Sequence, residues 1–302
     1  MRVRARAVVA GFVVLVVVAV IGIVLGIRQV GDRLRLPLAG RTCTVQAEGT
    51  VSLNAHQMAN AATIAAIGIR RGMPERAVVV ALATAYQESG LRNLAGGDRD
   101  SVGLFQQRPS QGWGTPTEIR DPRYAADRFY AALKKVRGWE DMRVTDAAQK
   151  VQRSAFPEAY EKWADDSEVL TRALLGEATG AVSCTVGGDP AMRGAAAAAA
   201  LTEGLTLDWG LAGSAAGRKR GADIVGSRVN GDGGLTGLTV TAADERAGWR
   251  YAHWLVSHAN DHGVKRVRFG GQEWSARDGS WKRVTNGEKS ADRVVAEVHA
   301  DV

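Results

Sequence analysis

Two cysteines in 302 residues set the strongest limit on how this chain folds. Cys43 and Cys184 sit in matching settings, "TCTV" and "SCTV", and no third thiol competes for either. Two readings are open: unrelated buried thiols, or a disulfide. The disulfide would close a loop of about 140 residues, on the order of 5 kcal/mol in the chain-entropy account of cross-linking. It would also make 42–186 one closed domain in an oxidising compartment.

Charge is unevenly spread. Residues 1–41 carry seven Arg against one Asp, so most of the net charge of +7 lies there and the remainder is nearly neutral. A basic groove for nucleic acid therefore has little support, and no nucleic-acid partner is expected. Within the same segment, Ala7 to Ile27 is an uncharged run of 21 residues. That is long enough to span a bilayer as a helix. It exceeds the apolar core of a secretory signal, and no small-x-small cleavage site follows closely. The expectation is a cytoplasmic tip, a transmembrane anchor at 7–27 and a stalk to residue 41. Arg2, Arg4 and Arg6 balance Arg28, Arg33 and Arg35, so the positive-inside count does not orient the span. A disulfide just beyond the anchor would place the body outside the cytoplasm, giving a single-pass protein of the cell membrane.

Between the cysteines the spacing is helical. "SLNAHQMANAATIAAIGIRRG" has a polar start at Ser52 or Asn54 and stops at Gly72. "MPERAVVVALATAYQESG" has Pro74 at its first turn and Gly90 just past its end, with a middle that is apolar all round. "DPRYAADRFYAALKKV" and the run from Val144 to Gly176 follow, broken at Pro157. No convincing strand alternation is seen from 44 to 184, so an all-α domain is expected there.

Glu88 is the residue out of place, a carboxylate closing an apolar helix. Burial and the partial negative charge of a helix C-terminus both disfavour an ionised group, which lets a carboxylic acid keep a proton to donate. A Glu before Ser-Gly at a helix end also serves well simply by pointing into water. Fifteen residues on, after the polar loop "RNLAGGDRDS", comes "GLFQQ", Gly103 to Gln107. Glu88-Ser89 and Gly103-Leu104-Phe105-Gln106, at that spacing, resemble the lysozyme-like fold of soluble lytic transglycosylases and goose-type lysozymes. There a Glu-Ser pair ends a central helix and a Gly-Leu-Met-Gln segment forms the cleft floor, with Phe105 here in place of Met. The longer string through "RPSQGWG" and "VQRSAFPEAY" is similar to membrane-tethered cell-wall proteins of high-GC Gram-positive bacteria.

The resemblance, over roughly 50–175, implies Glu88 as the general acid/base and Ser89, Gln106 and Gln107 as substrate-binding residues. The family's late Ala-Tyr-Asn-Ala-Gly segment is missing. "VQRSA" lies nearest, with Gln152 standing in for the Asn, and Tyr130 and Tyr160 are candidates to line the cleft. Trp113 and Trp139 are candidates to stack on sugar, against the commoner fate of a buried indole. Glycoside cleavage ordinarily takes two carboxylates. Asp98 and Asp100 are the available second groups. If one faces the cleft, it could orient a water, giving hydrolysis. If neither does, the family's other route applies, in which the sugar's own hydroxyl attacks.

Past Cys184, a linker at 187–196 leads into an alanine-rich stretch, either a helix or a low-complexity spacer. A smaller α/β domain is expected over 197–302. Its "AHWLVSHANDHGVKRVRFGGQEWS" and terminal "EVHADV" faintly resemble modules related to zinc D,D-carboxypeptidases. His253, His258, His262, His299 and Asp223 raise a zinc reading, and His258 and His262 stand four apart. No Glu follows His258, so the HExxH pattern is absent. Ala216 occupies the upstream His position and Glu297 replaces the first of the final His-x-His pair, so no metal or other cofactor is expected. The chain is thus read as an enzyme cleaving the glycan strands of peptidoglycan. The alternative is an inactive wall-binding or assembly protein that uses the same cleft.

Overall fold

Strand pairing begins at the cysteines. The computed structural model describes residues 42–213, 223–227, 237–284 and 292–301. In it, β1 (Thr42–Gln46) pairs antiparallel with β2 (Thr50–Asn54) on one side and β3 (Val182–Cys184) on the other. The register sets Cys43 opposite Cys184, and a disulfide joins them. Cys43, Val45, Val51 and Leu53 are buried in alternation with more exposed neighbours, the period of a half-buried sheet. The all-helical expectation for 42–186 fails here. Its strands are only five and three residues long, too short to stand out beside the helical runs.

α1 (Ala55–Arg70) starts where the hairpin ends. The Asn54 side chain accepts from the Gln57 N–H, and the Gln57 side chain accepts from the Asn54 N–H, so two end donors are satisfied reciprocally. α2 (Glu75–Ser89) is buried without interruption from Ala77 to Tyr86. It is enclosed by α1, α4 (Pro122–Leu133), α5 (Val144–Gln152) and α6 (Ala164–Leu174), while the single turn α3 (Pro116–Ile119) leads into α4. Val78, Val80 and Leu82 are fully buried, each contributing about 1.5–3 kcal/mol.

The alanine-rich stretch resolves as a helix, α7 (Gly194–Trp209). Then come β4 (Ala212–Gly213), β5 (Asp223–Ser227), β6 (Gly237–Thr241), α8 (Glu245–Ser257), the turn α9 (Ala259–His262), β7 (Val264–Phe269), β8 (Gln272–Ser275), β9 (Trp281–Arg283) and β10 (Arg293–Val298). The seven strands are ordered β4-β5-β6-β10-β7-β8-β9, antiparallel except for β4 with β5. Among the described residues the protein is a mixed α/β fold with two sheets, so the expected all-α domain is corrected.

α8 serves both halves. One side lies on β7, and the other meets α1, α6 and β3. The His253 ring on α8 accepts the Ala181 N–H at Nε2 (3.0 Å) and donates from Nδ1 to Ala173 O (2.7 Å), which fixes its neutral tautomer. Arg250 and Arg246 both donate to Leu175 O at the end of α6. Gly176 has φ +76, and a Cβ there would lie 2.1 Å from Arg246 O, so the two backbones meet where only glycine fits. One continuous apolar core runs from Cys43 to Val298, and residues 41–302 form a compact unit.

The expected transmembrane anchor at 7–27 lies outside the described residues. Among the described residues no helix is long and apolar enough to cross a membrane. The single-pass placement, and the localisation drawn from it, are therefore not supported.

Candidate active site

The chain turns sharply after Glu88. Gly90 (φ 61°) and Leu91 (φ 57°) are successive left-handed residues. A non-glycine residue in that conformation costs about 1–2 kcal/mol, and complete burial of the Leu91 side chain offsets it. The Gly90 N–H returns to Tyr86 O and the Leu91 N–H to Ala85 O. α1 holds the turn from the other side: Gln57 Nε2 donates to Gly90 O (2.8 Å) and Asn60 Nδ2 to Leu91 O (2.9 Å). The end of α2, and with it Glu88, is fixed from several directions.

The segment 103–107 returns against that end. Gly103, at φ +80, passes so close to Ile119 O that a Cβ would sit 2.6 Å away. The buried Ser89 hydroxyl lies 2.8 Å from Leu104 O and 3.0 Å from Ala85 O, and it accepts the Arg92 N–H. Gln152, the last residue of α5, donates from Nε2 to Phe105 O (2.7 Å). Three parts of the chain thus converge on one backbone stretch.

Above it opens a cavity of about 520 Å³ lined by Glu88, Asp98, Gln106, Gln107, Gln152 and, among others, Ser101, Arg108 and Trp113. Glu88 is half-buried, and the fully buried Tyr160 donates its hydroxyl to Glu88 Oε1 across 2.6 Å. Burial first, then the charge of Glu88, pushes the Tyr160 phenol far above its ordinary range, so it remains a neutral donor. Beside it, Trp163 stacks on Tyr86 at 4.7 Å and donates from Nε1 to Gln87. Gln106 accepts from the Ser101 hydroxyl and donates to Gly103 O. Gln107 donates to Ala125 O, and its buried Oε1 has no hydrogen-bond partner among the described residues.

The remaining sequence candidates divide. Ser89 is buried, bonds to backbone and is not on the cavity wall. Tyr130 is deep in the core, its hydroxyl on Ile64 O at 3.0 Å. Trp139 is buried, whereas Trp113 is half-buried on the wall. Asp98 reaches the wall with its side chain 92% exposed. Asp100 does not line the cavity. It accepts from Ser110 N (2.8 Å) and Arg108 Nε (2.6 Å), and the bonds from Ser110, then Arg108, hold its carboxyl well below the usual range. The tie between Tyr160 and Glu88 was not legible in sequence, because the two stand 72 residues apart without a shared pattern.

Of the four histidines of the second half, His253 and His258 are buried and His262 and His299 are half-buried. His258 stacks on Trp254 at 3.9 Å, with Nδ1 2.8 Å from Trp254 O, and its ring lies 6.1 Å from that of His262. Asp208, fully buried nearby, accepts from Thr63, Trp254 and Arg123, joining α7 to α1, α8 and α4. Among the described residues no group of three or more His, Cys, Asp or Glu could hold a metal ion. The side chain of Asp223 and all of Ala216 lie outside what is described.

The arrangement offers one carboxyl fixed at the end of a rigid helix, in a cavity walled by four amides, two hydroxyls, one indole, the guanidinium groups of Arg99, Arg108 and Arg153, and the exposed Asp98. It can exchange a proton with a polar, hydroxyl-rich ligand. No family model matches the chain, and no curated protein matches it.

Proposed function

We propose that the protein cleaves the glycan strands of peptidoglycan, with Glu88 as the general acid/base and the sugar's own hydroxyl as the attacking group. Glu88 would deliver its proton to the glycosidic oxygen as the bond to C1 breaks. A hydroxyl of the same sugar would then close onto C1 and return its proton to Glu88. An anhydro sugar forms, and the acid is restored without water entering the balance. The observation that carries this reading is the position of Glu88 in the cavity, oriented by Tyr160. Gln106, Gln107, Gln152 and Ser101 supply the amide and hydroxyl groups that pair with sugar hydroxyls.

The choice against hydrolysis rests on the second carboxylate. Of the two aspartates, Asp100 is engaged by Ser110 and Arg108, and Asp98 stands almost fully in solvent. Asp98 lines the cavity, but among the described residues no hydrogen bond holds its carboxylate in place for a water. The test is release of soluble fragments from purified peptidoglycan by the full chain, lost in Glu88→Gln. Retained binding to the wall without release by the unaltered protein would favour a binding module instead.

A further inference from the structure

The Glu88 cavity does not end at its own wall. Gln111, Trp113, Gln152 and Arg153 are shared with a second hollow of about 650 Å³. Its floor is apolar, made of Ala131, Ala132, Val136 and Val151, and its rim carries Arg128, Lys135, Lys150 and Arg153 without one carboxylate. All four cations are exposed. Among the described residues none of them makes an ion pair or a side-chain hydrogen bond. Glu118 and Asp146 act on Arg128 and Lys150 only at longer range.

Helix geometry accounts for the grouping. Arg128 lies on α4 and Lys135 in the turn that follows it, while Lys150 and Arg153 sit at the end of α5. Cations at helix C-termini are favourable in themselves, by a few tenths of a kcal/mol to about 1. That accounts for Lys150 and Arg153 singly. It does not account for Arg128, in the body of α4, facing them across a hollow that opens into the Glu88 cavity. Four like charges around one concavity repel, and an anion between them relieves this.

We propose that this hollow is a binding arm for an acidic peptide attached to the glycan strand whose sugars occupy the Glu88 cavity. The proposal rests on the glycan reading above. Continuity of the two hollows past Trp113 and Gln152 favours a ligand covalently joined to the strand over a free anion. The Ala and Val floor suits small apolar side chains, and the cationic rim suits carboxylates.

The test compares glycan strands carrying intact peptides with the same strands after an amidase has removed the peptides. Binding of the full chain is measured by sedimentation and cleavage by product release. The variant is Lys135→Glu/Lys150→Glu, two exposed positions that make no ion pair or side-chain hydrogen bond among the described residues. Intact strands should bind roughly five- to tenfold more tightly than stripped ones, as expected for several partly screened ion pairs. The preference should shrink as salt is raised and disappear in the variant, while stripped strands bind equally to both proteins. Equal binding of intact and stripped strands by the unaltered protein, or a preference that survives in the variant, overturns the arm. So does binding to neither strand. Preferential binding without cleavage keeps the arm and overturns the proposed activity instead. Strands bearing phosphodiester polymer in place of peptides provide a third arm. A preference for them equal to that for peptide strands would assign the site to phosphate and overturn the peptide proposal.

Discussion

The Tyr160 hydroxyl donates to Glu88 Oε1 across 2.6 Å, joining the end of α2 to a residue 72 positions further along the chain. The contact engages Oε1 of a carboxyl that lines the cavity. Tyr160→Phe removes only the donor. Cleavage should fall about tenfold, the equivalent of one hydrogen bond, while the thermal midpoint stays nearly unchanged. Steady-state rates beside a melting curve check this, and a variant of normal rate would deny Tyr160 any part in positioning Glu88.

Asp98→Asn and Asp100→Asn separate the two chemical routes. If Glu88 works alone, Asp98→Asn should retain cleavage within about threefold, since solvent already screens that side chain. Asp100→Asn should alter the loop through Ser110 and Arg108 rather than the chemistry, lowering affinity for the strand more than turnover. Separate KM and kcat values for each variant decide it. Loss of turnover in Asp98→Asn would restore hydrolysis as the route.

Much of this site was legible in the sequence. Glu88, Gln106, Gln107 and Gln152 do line one cavity with Asp98, because fixed spacing along helices and a short return segment carries over into space. Ser89 and Tyr130 were equally visible, yet their hydroxyls serve backbone carbonyls inside the fold. A sequence shows that a polar group is present but not which acceptor it meets. The fold was less legible. β1 and β2 do alternate, as Cys43, Val45, Val51 and Leu53 show, but over too few residues to outweigh the helices that follow. Nor does the apolar pattern of α8 say what it packs on. Its His253 looked like a metal candidate and instead bridges Ala173 and Ala181.

That bridge makes the protein sensitive to acid. Burial lowers His253 and His258 from 6.5 to about 4 in the folded chain. The unfolded chain therefore binds protons between about 6.5 and 4 where the native one does not. Stability is complete above the unfolded value and falls as pH drops through that window, by up to about 3 kcal/mol for each ring. Urea midpoints at pH 7.5, 5.5 and 4.5 should decline in that order. A flat profile would contradict burial of the neutral rings.

The same packing forbids a simple truncation. A fragment of residues 42–186 would lose Arg246 and Arg250 from Leu175 O, His253 from Ala173 and Ala181, and Trp281 from Val182 O. It should not unfold cooperatively when heated, as followed by circular dichroism, whereas residues 42–302 should. A cooperative transition in the short fragment would show that the shared core is dispensable.

The disulfide belongs to that core. Cys43→Ser/Cys184→Ser should cost up to about 5 kcal/mol, because the closed loop is long. A urea titration in which the variant matched the oxidised protein would contradict this.

The most direct measurement is the mass of the sugar fragments released from peptidoglycan by the full chain and by Glu88→Gln. Fragments one water lighter than a hydrolysis product, absent with the variant, are the expected result. Reducing-end fragments, or release that persists without the Glu88 carboxyl, would contradict a single carboxyl acting as both acid and base.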